Sequence, residues 1–196
     1  VITNKKYENI LLVRNVLEEG ISLRHLTLDQ LTERIAQSAK LILDVLLSGG
    51  KVMVFGNGGS AASAQHLAAE MIGRYKIERQ PIPAIALTAD SSVTTCISND
   101  YGFRYIFARQ VRALAKPGDI VIGLTTSGES SNVINGLATA RELEARTIAL
   151  TGINGLKEPV AENILAIPSN NTALVQAEHV AIIHAWCEIF DKEFQT

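Results

Sequence analysis

From Tyr7 to Glu19, and again from Thr27 to Leu47, apolar residues recur at steps of three and four, as in Leu31, Ile35, Leu41, Ile42, Val45 and Leu46. That spacing gathers them on one helix face, so two amphipathic helices are predicted. Gly49 and Gly50 end the second, because glycine closes a helix without steric cost. The pattern then changes to short apolar runs: Val52-Met53-Val54-Phe55, Ala84-Ile85-Ala86-Leu87, Asp119 to Leu124, Thr147-Ile148-Ala149-Leu150 and Ile164-Leu165-Ala166-Ile167. Segments of helical length separate them, with Gln110 to Leu114, Asn132 to Glu144 and Leu174 to Phe194 the best helix candidates. Unbroken rather than alternating apolarity means that both faces of each strand are covered. The expectation is an α/β fold, a five-stranded parallel sheet flanked by helices, in one domain over 1–196 with an N-terminal helical segment at about 1–48. In such sheets a ligand sits beyond the carboxyl ends of the strands, where the strand order reverses.

Composition narrows this picture. With 196 residues, 47% of them hydrophobic, the chain can bury one sizeable core. A formal charge of -2 gives no basic field for a polyanion, so no nucleic-acid partner is expected. Cys96 and Cys187 are the two cysteines and form no C-x-x-C pair, which argues against a disulfide scaffold or a thiolate metal site and fits a reducing compartment. Val1 to Glu8 is polar, with Lys5 and Lys6 and no apolar run behind them, and no stretch has the length of a spanning helix. A soluble, cytoplasmic protein with no membrane partner is expected.

Three loops carry the candidate chemistry. Gly56-Asn57-Gly58-Gly59-Ser60-Ala61-Ala62 runs from a strand directly into a helix. Its small residues let backbone N–H groups approach a ligand, and the helix start favours an anion, so phosphate or sugar oxygens suit it. The plainer alternative is a tight turn with Ser60 as a helix cap. The loop also matches a loose dinucleotide pattern, but Glu78 and Asp90 are both misplaced for the acid that such a site needs after its second strand. No lysine follows the glycines, so it is not a P-loop. The second loop, Thr125-Thr126-Ser127-Gly128-Glu129-Ser130-Ser131, offers five hydroxyls and a glycine at a helix start, a donor set suited to phosphate. Two anion-type loops on neighbouring strands imply one ligand with two ends. The third, Ser98-Asn99-Asp100-Tyr101-Gly102, reads as a polar turn whose Asn99 and Asp100 suit sugar hydroxyls.

His66 and Glu70 are four residues apart after the first loop and therefore share a helix face. On the last helix Gln176 and His184 are separated by about 80° of helical rotation, with His179 between them. A carboxylate and an imidazole are the groups needed to move a proton between adjacent carbons through an enediol. With His66 and Gln176 they equally make a set of N and O ligands for zinc. An exposed His66/Glu70 pair and a half-buried His184 beside Ile182 and Ile183 is the ordinary alternative.

The run from Gly56 through Ala61-Ala62-Ser63-Ala64-Gln65-His66 to Glu70 resembles the opening motif of the phosphoheptose isomerases, members of the sugar isomerase (SIS) domain superfamily. Asn99 to Phe103, Thr126-Ser127-Gly128, Asn132-Val133 and the segment from Gln176 to His184 match in order. The resemblance implies an SIS-type, flavodoxin-like sheet, a homotetramer partly built on the N-terminal helices, and conversion of sedoheptulose 7-phosphate to D-glycero-D-manno-heptose 7-phosphate. It implies Glu70 as the base at C1 and His184 as the partner acid/base. Ser60, Thr126, Ser127 and Ser130 would hold phosphate, with Thr125 in the same loop. Asn57, Gly58, Gly59, Asn99, Asp100 and Gln176 would position the sugar, and one zinc ion per subunit would be held by His66, Glu70, Gln176 and His184. Since a group that fully ligates a metal is not at the same time a free base, the resemblance leaves the metal's role open. Three residues depart from the usual pattern: Ser63 stands where many relatives carry Asp, Glu129 replaces Asn or Lys, and Leu174 replaces Arg or Lys. A carboxylate at 129 would repel phosphate if it pointed inward and complement the helix dipole if it faced out. Competing readings are a non-catalytic sugar-phosphate sensor or replication-initiation regulator on the same architecture, and an isomerase of another ketose phosphate. The presence of both Glu70 and His184 favours the enzyme.

Overall fold

A computed structural model describes the backbone of residues 2–195 and the side chains of 7–195. Five parallel strands form the sheet, in the order β2-β1-β3-β4-β5. They are β1 (Val52–Gly56), β2 (Ala84–Ala86), β3 (Ile120–Thr125), β4 (Arg146–Thr151) and β5 (Asn163–Ala166). Every residue of β1 and β3 is buried, which is why their sequences are continuously apolar. Six α-helices complete the described chain: α1 (Ile2–Leu47), α2 (Gly59–Ile72), α3 (Ser91–Tyr101), α4 (Ile106–Leu114), α5 (Ser131–Glu142) and α6 (Thr172–Glu193). One apolar layer, including Trp186, Phe190, Leu67 and Met71, joins α1, α2 and α6 to one side of the sheet. The other side is closed over Phe55, Phe107, Val111 and Leu137 by α4 and α5, with the Phe55 and Phe107 rings stacked at 4.6 Å.

The two predicted N-terminal helices are a single helix of 46 residues. Between them Gly20 weakens the helix by about 1 kcal/mol, but no proline interrupts it. Just beyond, Leu23 and Thr27 are buried, and Arg24 donates two 2.9 Å hydrogen bonds to the Glu178 carboxylate on α6. Tertiary contact therefore carries the helix through the weak point. Before Leu23 the helix is a different object: Tyr7, Ile10, Leu11, Leu12, Val13, Val16, Leu17 and Ile21 are all exposed. The predicted turn at Ser98 to Gly102 is instead the last turn of α3, closed by Gly102 at a φ of 93°.

The reversal of strand order falls between β1 and β3, which are neighbours in register with Gly56 opposite Leu124. Both small-residue loops leave the sheet at that point, side by side.

Candidate active site

The first loop begins where β1 ends. Ser60 is buried and does not cap α2: the capping position is Gly58, at a φ of 54°, with no side-chain bond. The Asn57 side chain makes a reciprocal pair with Asn132 at the start of α5, each amide donating to the other's oxygen at 2.9 and 2.8 Å. These two bonds tie the first loop to the second. Asn132, buried at 2% exposure, is the partner that fixes the first loop, although its sequence signal was only a match in order.

The second loop is braced from within. Thr125 Oγ1 accepts from the Gly128 N–H at 3.2 Å and donates to Ser130 Oγ at 3.1 Å. Thr125 is thus a buried prop, while Thr126, Ser127 and Ser130 keep some exposure. Gly128 has a φ of 74°, and a Cβ there would collide with the Gly155 carbonyl oxygen. The Gly128 carbonyl accepts from the Lys157 N–H at 3.0 Å. Only glycine permits that close crossing of two backbones. Glu129 is exposed, with its N–H bonded to Ser127 Oγ, so its carboxylate is not buried against the loop's donors. Ser63 bonds back to the Gly59 carbonyl at 3.2 Å, and Leu174 packs against the core.

The helices bring the polar groups together. His66 Nε2 lies 3.6 Å from Glu70 Oε1 along α2 and 2.9 Å from His184 Nε2 on α6. Suitable atoms of the three side chains all lie within 4.8 Å of one another, and each residue is partly exposed. Gln176, two turns before His184, reaches the first loop: a Cβ at Gly59 would stand 2.6 to 2.8 Å from its carboxamide atoms. The absence of a side chain at Gly59 is what lets α6 approach. Asn99 and Asp100 are exposed at the end of α3 and bonded to each other at 2.8 Å. Two imidazole nitrogens facing one another beside a carboxylate oxygen can share a proton or hold a cation, and nitrogen and oxygen donors of this kind suit zinc.

An SIS domain model matches residues 17–152. The phosphoheptose isomerase of Aquifex aeolicus is 47% identical over 92% of this chain and 95% of its own length. The chain belongs to the phosphoheptose isomerase family. A second member, from Geobacter sulfurreducens, is 50% identical over 83% of this chain and 87% of that one. The solved phosphoheptose isomerase from Francisella tularensis superposes with a TM-score of 0.89 at 39% identity, covering 94% of this chain and 98% of that chain. The five-stranded sheet and its order are thus the family's fold.

His179, the remaining histidine of α6, does not join the His66/Glu70/His184 cluster. It is fully buried, with Nε2 3.2 Å from the Thr151 carbonyl oxygen at the end of β4. Its Nδ1 has no partner among the described residues. Burial pushes its pKa down to about 4, against the smaller upward pull of the Thr151 carbonyl. In the unfolded chain the same group titrates near 6.5. Its neutral form therefore contributes fully above that value and is lost as pH falls from 6.5 to about 4. The shift corresponds to on the order of 3 kcal/mol of folding stability. Urea unfolding at pH 7.5 and pH 5 is expected to show somewhat more than half of this loss, about 2 kcal/mol, and His179→Gln to flatten it; an unchanged pH slope in the variant would rule the assignment out.

Proposed function

We propose that the protein interconverts sedoheptulose 7-phosphate and D-glycero-D-manno-heptose 7-phosphate by proton transfer through an enediol. The observation that carries this reading is the meeting of Glu70 and His66 on α2 with His184 on α6, beside two loops built for an anionic ligand. A site that only bound phosphosugar would have no need of that convergent acid/base set.

The phosphate is held by the second loop through Thr126, Ser127 and Ser130, with Thr125 holding the loop's shape and Ser60 contributing from the start of α2. Asn57, Gly58, Gly59, Asn99, Asp100 and Gln176 position the sugar chain. Glu70 removes a proton from C1 of the ketose, breaking the C1–H bond and leaving an enediol across C1 and C2. It then returns a proton to C2. His184 carries the accompanying proton from the O1 hydroxyl to O2, so the carbonyl moves from C2 to C1 with no net change in atoms or electrons. The partial exposure of Glu70 and His184 leaves both accessible to a substrate.

His66, Glu70 and His184, with Gln176, would hold one zinc ion per subunit, a reading supported by the approach of two Nε2 atoms and a carboxylate oxygen; Glu70 and His184 would move protons only where they do not fully ligate it. Bound zinc would supply positive charge against the negative charge that develops on the substrate's oxygens. The chain is further read as one domain over 1–196 and as a cytoplasmic homotetramer, assembled on the N-terminal half of α1, whose apolar residues stand between 54 and 68% exposed from Tyr7 to Ile21. A contiguous apolar face of this kind calls for a partner surface. None of the helices is long and apolar enough to cross a membrane, among the described residues. The product would feed synthesis of nucleotide-activated heptose for glycans such as lipopolysaccharide cores.

One preparation tests these points. In deuterated water, sedoheptulose 7-phosphate should take up deuterium next to its carbonyl, with zinc near one per subunit by metal analysis and a tetramer mass by light scattering. Exchange that fails with every ketose phosphate tried would leave a binding module as the reading. Exchange with a different ketose alone would reassign the substrate.

A further inference from the structure

Between α2 and β2 the chain passes through residues 73–83, a segment that none of the three loops includes. Arg79 lies in it with its side chain fully shielded from solvent. Its Nε donates to Asp191 Oδ1 at 2.8 Å, Nη1 donates to the carbonyls of Met71 at 2.9 Å and Gln80 at 3.2 Å, and Nη2 donates to the carbonyl of Glu70 at 2.7 Å. Glu70 and Met71 are in the last turn of α2, where helix carbonyls lack partners of their own. A single guanidinium therefore caps α2 and binds the main chain of the residue assigned as the base.

Asp191 faces the other way along the same link. Its second oxygen accepts from the N–H groups of Lys76 at 2.8 Å and Ile77 at 3.2 Å. Burial disfavours its charge, but the N–H groups of Lys76, Arg79 and Ile77 outweigh that and hold the carboxyl below the usual range. Asp191 lies two helical turns beyond His184 on α6, so the two side chains share a face. The segment that Asp191 holds also carries Tyr75, whose ring stacks on the His184 imidazole at 5.4 Å between centroids and 27° between planes.

We infer that Arg79, Asp191 and Tyr75 are positioning residues that set the separation and orientation of Glu70 and His184. This rests on the acid/base roles proposed above. Arg79 fixes Glu70 through its own carbonyl. Asp191 fixes Arg79 to α6 and holds the backbone that presses Tyr75 against His184. The exposed Lys76–Glu188 pair also joins this segment to α6, but the Arg79–Asp191 link is buried and reaches the main chain of α2 itself through charge-assisted hydrogen bonds, which are strong and directional. Since misplacing a reacting group by about 1 Å costs roughly 100-fold in rate, loosening this link should fall on the chemical step rather than on binding.

Two variants separate this from a merely structural ion pair. Arg79→Lys keeps the charge but has one ammonium in place of a planar fork, so it cannot reach Asp191 and both carbonyls together. Tyr75→Ala leaves the ion pair intact and removes only the ring. In the tetramer, each should lower kcat roughly 10- to 100-fold while KM for sedoheptulose 7-phosphate moves by less than about threefold. Tyr75→Phe, which restores the ring, should recover the rate. If Arg79→Lys fails to fold, Tyr75→Ala and its rescue decide alone. A kcat for Tyr75→Ala within threefold of the parent, or a change confined to KM, overturns the inference. Loss of rate in Glu70→Gln alongside normal Tyr75→Ala would reject the positioning role and keep the acid/base assignment, whereas a fully active Glu70→Gln would reject that assignment itself.

Discussion

Glu70→Gln should reduce turnover by roughly 10²- to 10⁴-fold, the usual contribution of a positioned general base, while binding of the sugar phosphate stays within a few-fold. The substitution exchanges one oxygen for an NH₂ group of similar size, so packing around the end of α2 is kept. The main-chain bond from Arg79 to the Glu70 carbonyl does not involve the side chain and survives as well. What disappears is the ability to take a proton from carbon, since a carboxamide is not basic at neutral pH. Most of the proposed phosphate donors lie in another part of the molecule, the loop after β3, and should be untouched. Initial rates together with calorimetric binding of sedoheptulose 7-phosphate distinguish the two effects. A parent-like rate would end the assignment of Glu70 as the base.

Gly128→Ala should be nearly as damaging, for an opposite reason. The φ of 74° strains any side chain, and the new methyl group would collide with a main-chain oxygen, that of Gly155, which has no flexible end to move aside. Either the 126–131 turn or the 152–157 segment must shift, breaking the Lys157 N–H bond to Gly128 and the Gly128 N–H bond to Thr125. Since the donors proposed for the phosphate are on that turn, KM should rise by about two orders of magnitude, the scale of roughly 3 kcal/mol of lost binding. Gly49→Ala serves as the control. Gly49 has a φ of 86° but no atom near its missing Cβ, so it should cost only about 1 kcal/mol of stability and leave KM unchanged. Steady-state kinetics and urea unfolding of the two variants provide the comparison. Equal KM values would show that the crossing at Gly128 does not shape the phosphate site.

The inner strands were legible because burial on both faces leaves a one-dimensional trace: a run such as Val52 to Phe55 has no polar position to confuse its reading, whereas the edge strands β2 and β5 are apolar without being covered on both faces, Ile85 being exposed and β5 mostly half-buried. The loops were legible because small residues and hydroxyls were concentrated at the ends of those runs. Glu70 and His66 were paired by helical spacing alone. His184 joined them only through chemistry and resemblance, for nothing in spacing connects positions 118 residues apart. Arg79 and Asp191 were invisible for the same reason, and an isolated arginine in a polar stretch reads as a solvated charge. Ser60 was open to reading as a cap because its residue type suits one, but the fold places the boundary earlier, at Gly58, and buries the hydroxyl. Continuity of α1 through Gly20 depended on Leu23, Thr27 and the Arg24–Glu178 pair, whose partner is contributed by the far end of the chain. For His184, Arg79, Asp191 and α1 the missing information was a long-range contact rather than a local preference.

The paired amides of Asn57 and Asn132 have a chemical implication of their own. Each uses a donor and an acceptor toward the other, an exchange that only a neutral carboxamide can make in both directions. Turning either into a carboxylate sets two oxygens face to face and pulls the two loops apart. Asn57 is followed by Gly58, a neighbour with no side chain to shield the peptide bond through which asparagine slowly loses its amide nitrogen. The dipeptide proposed to bring the backbone close to the sugar is also where this protein would age.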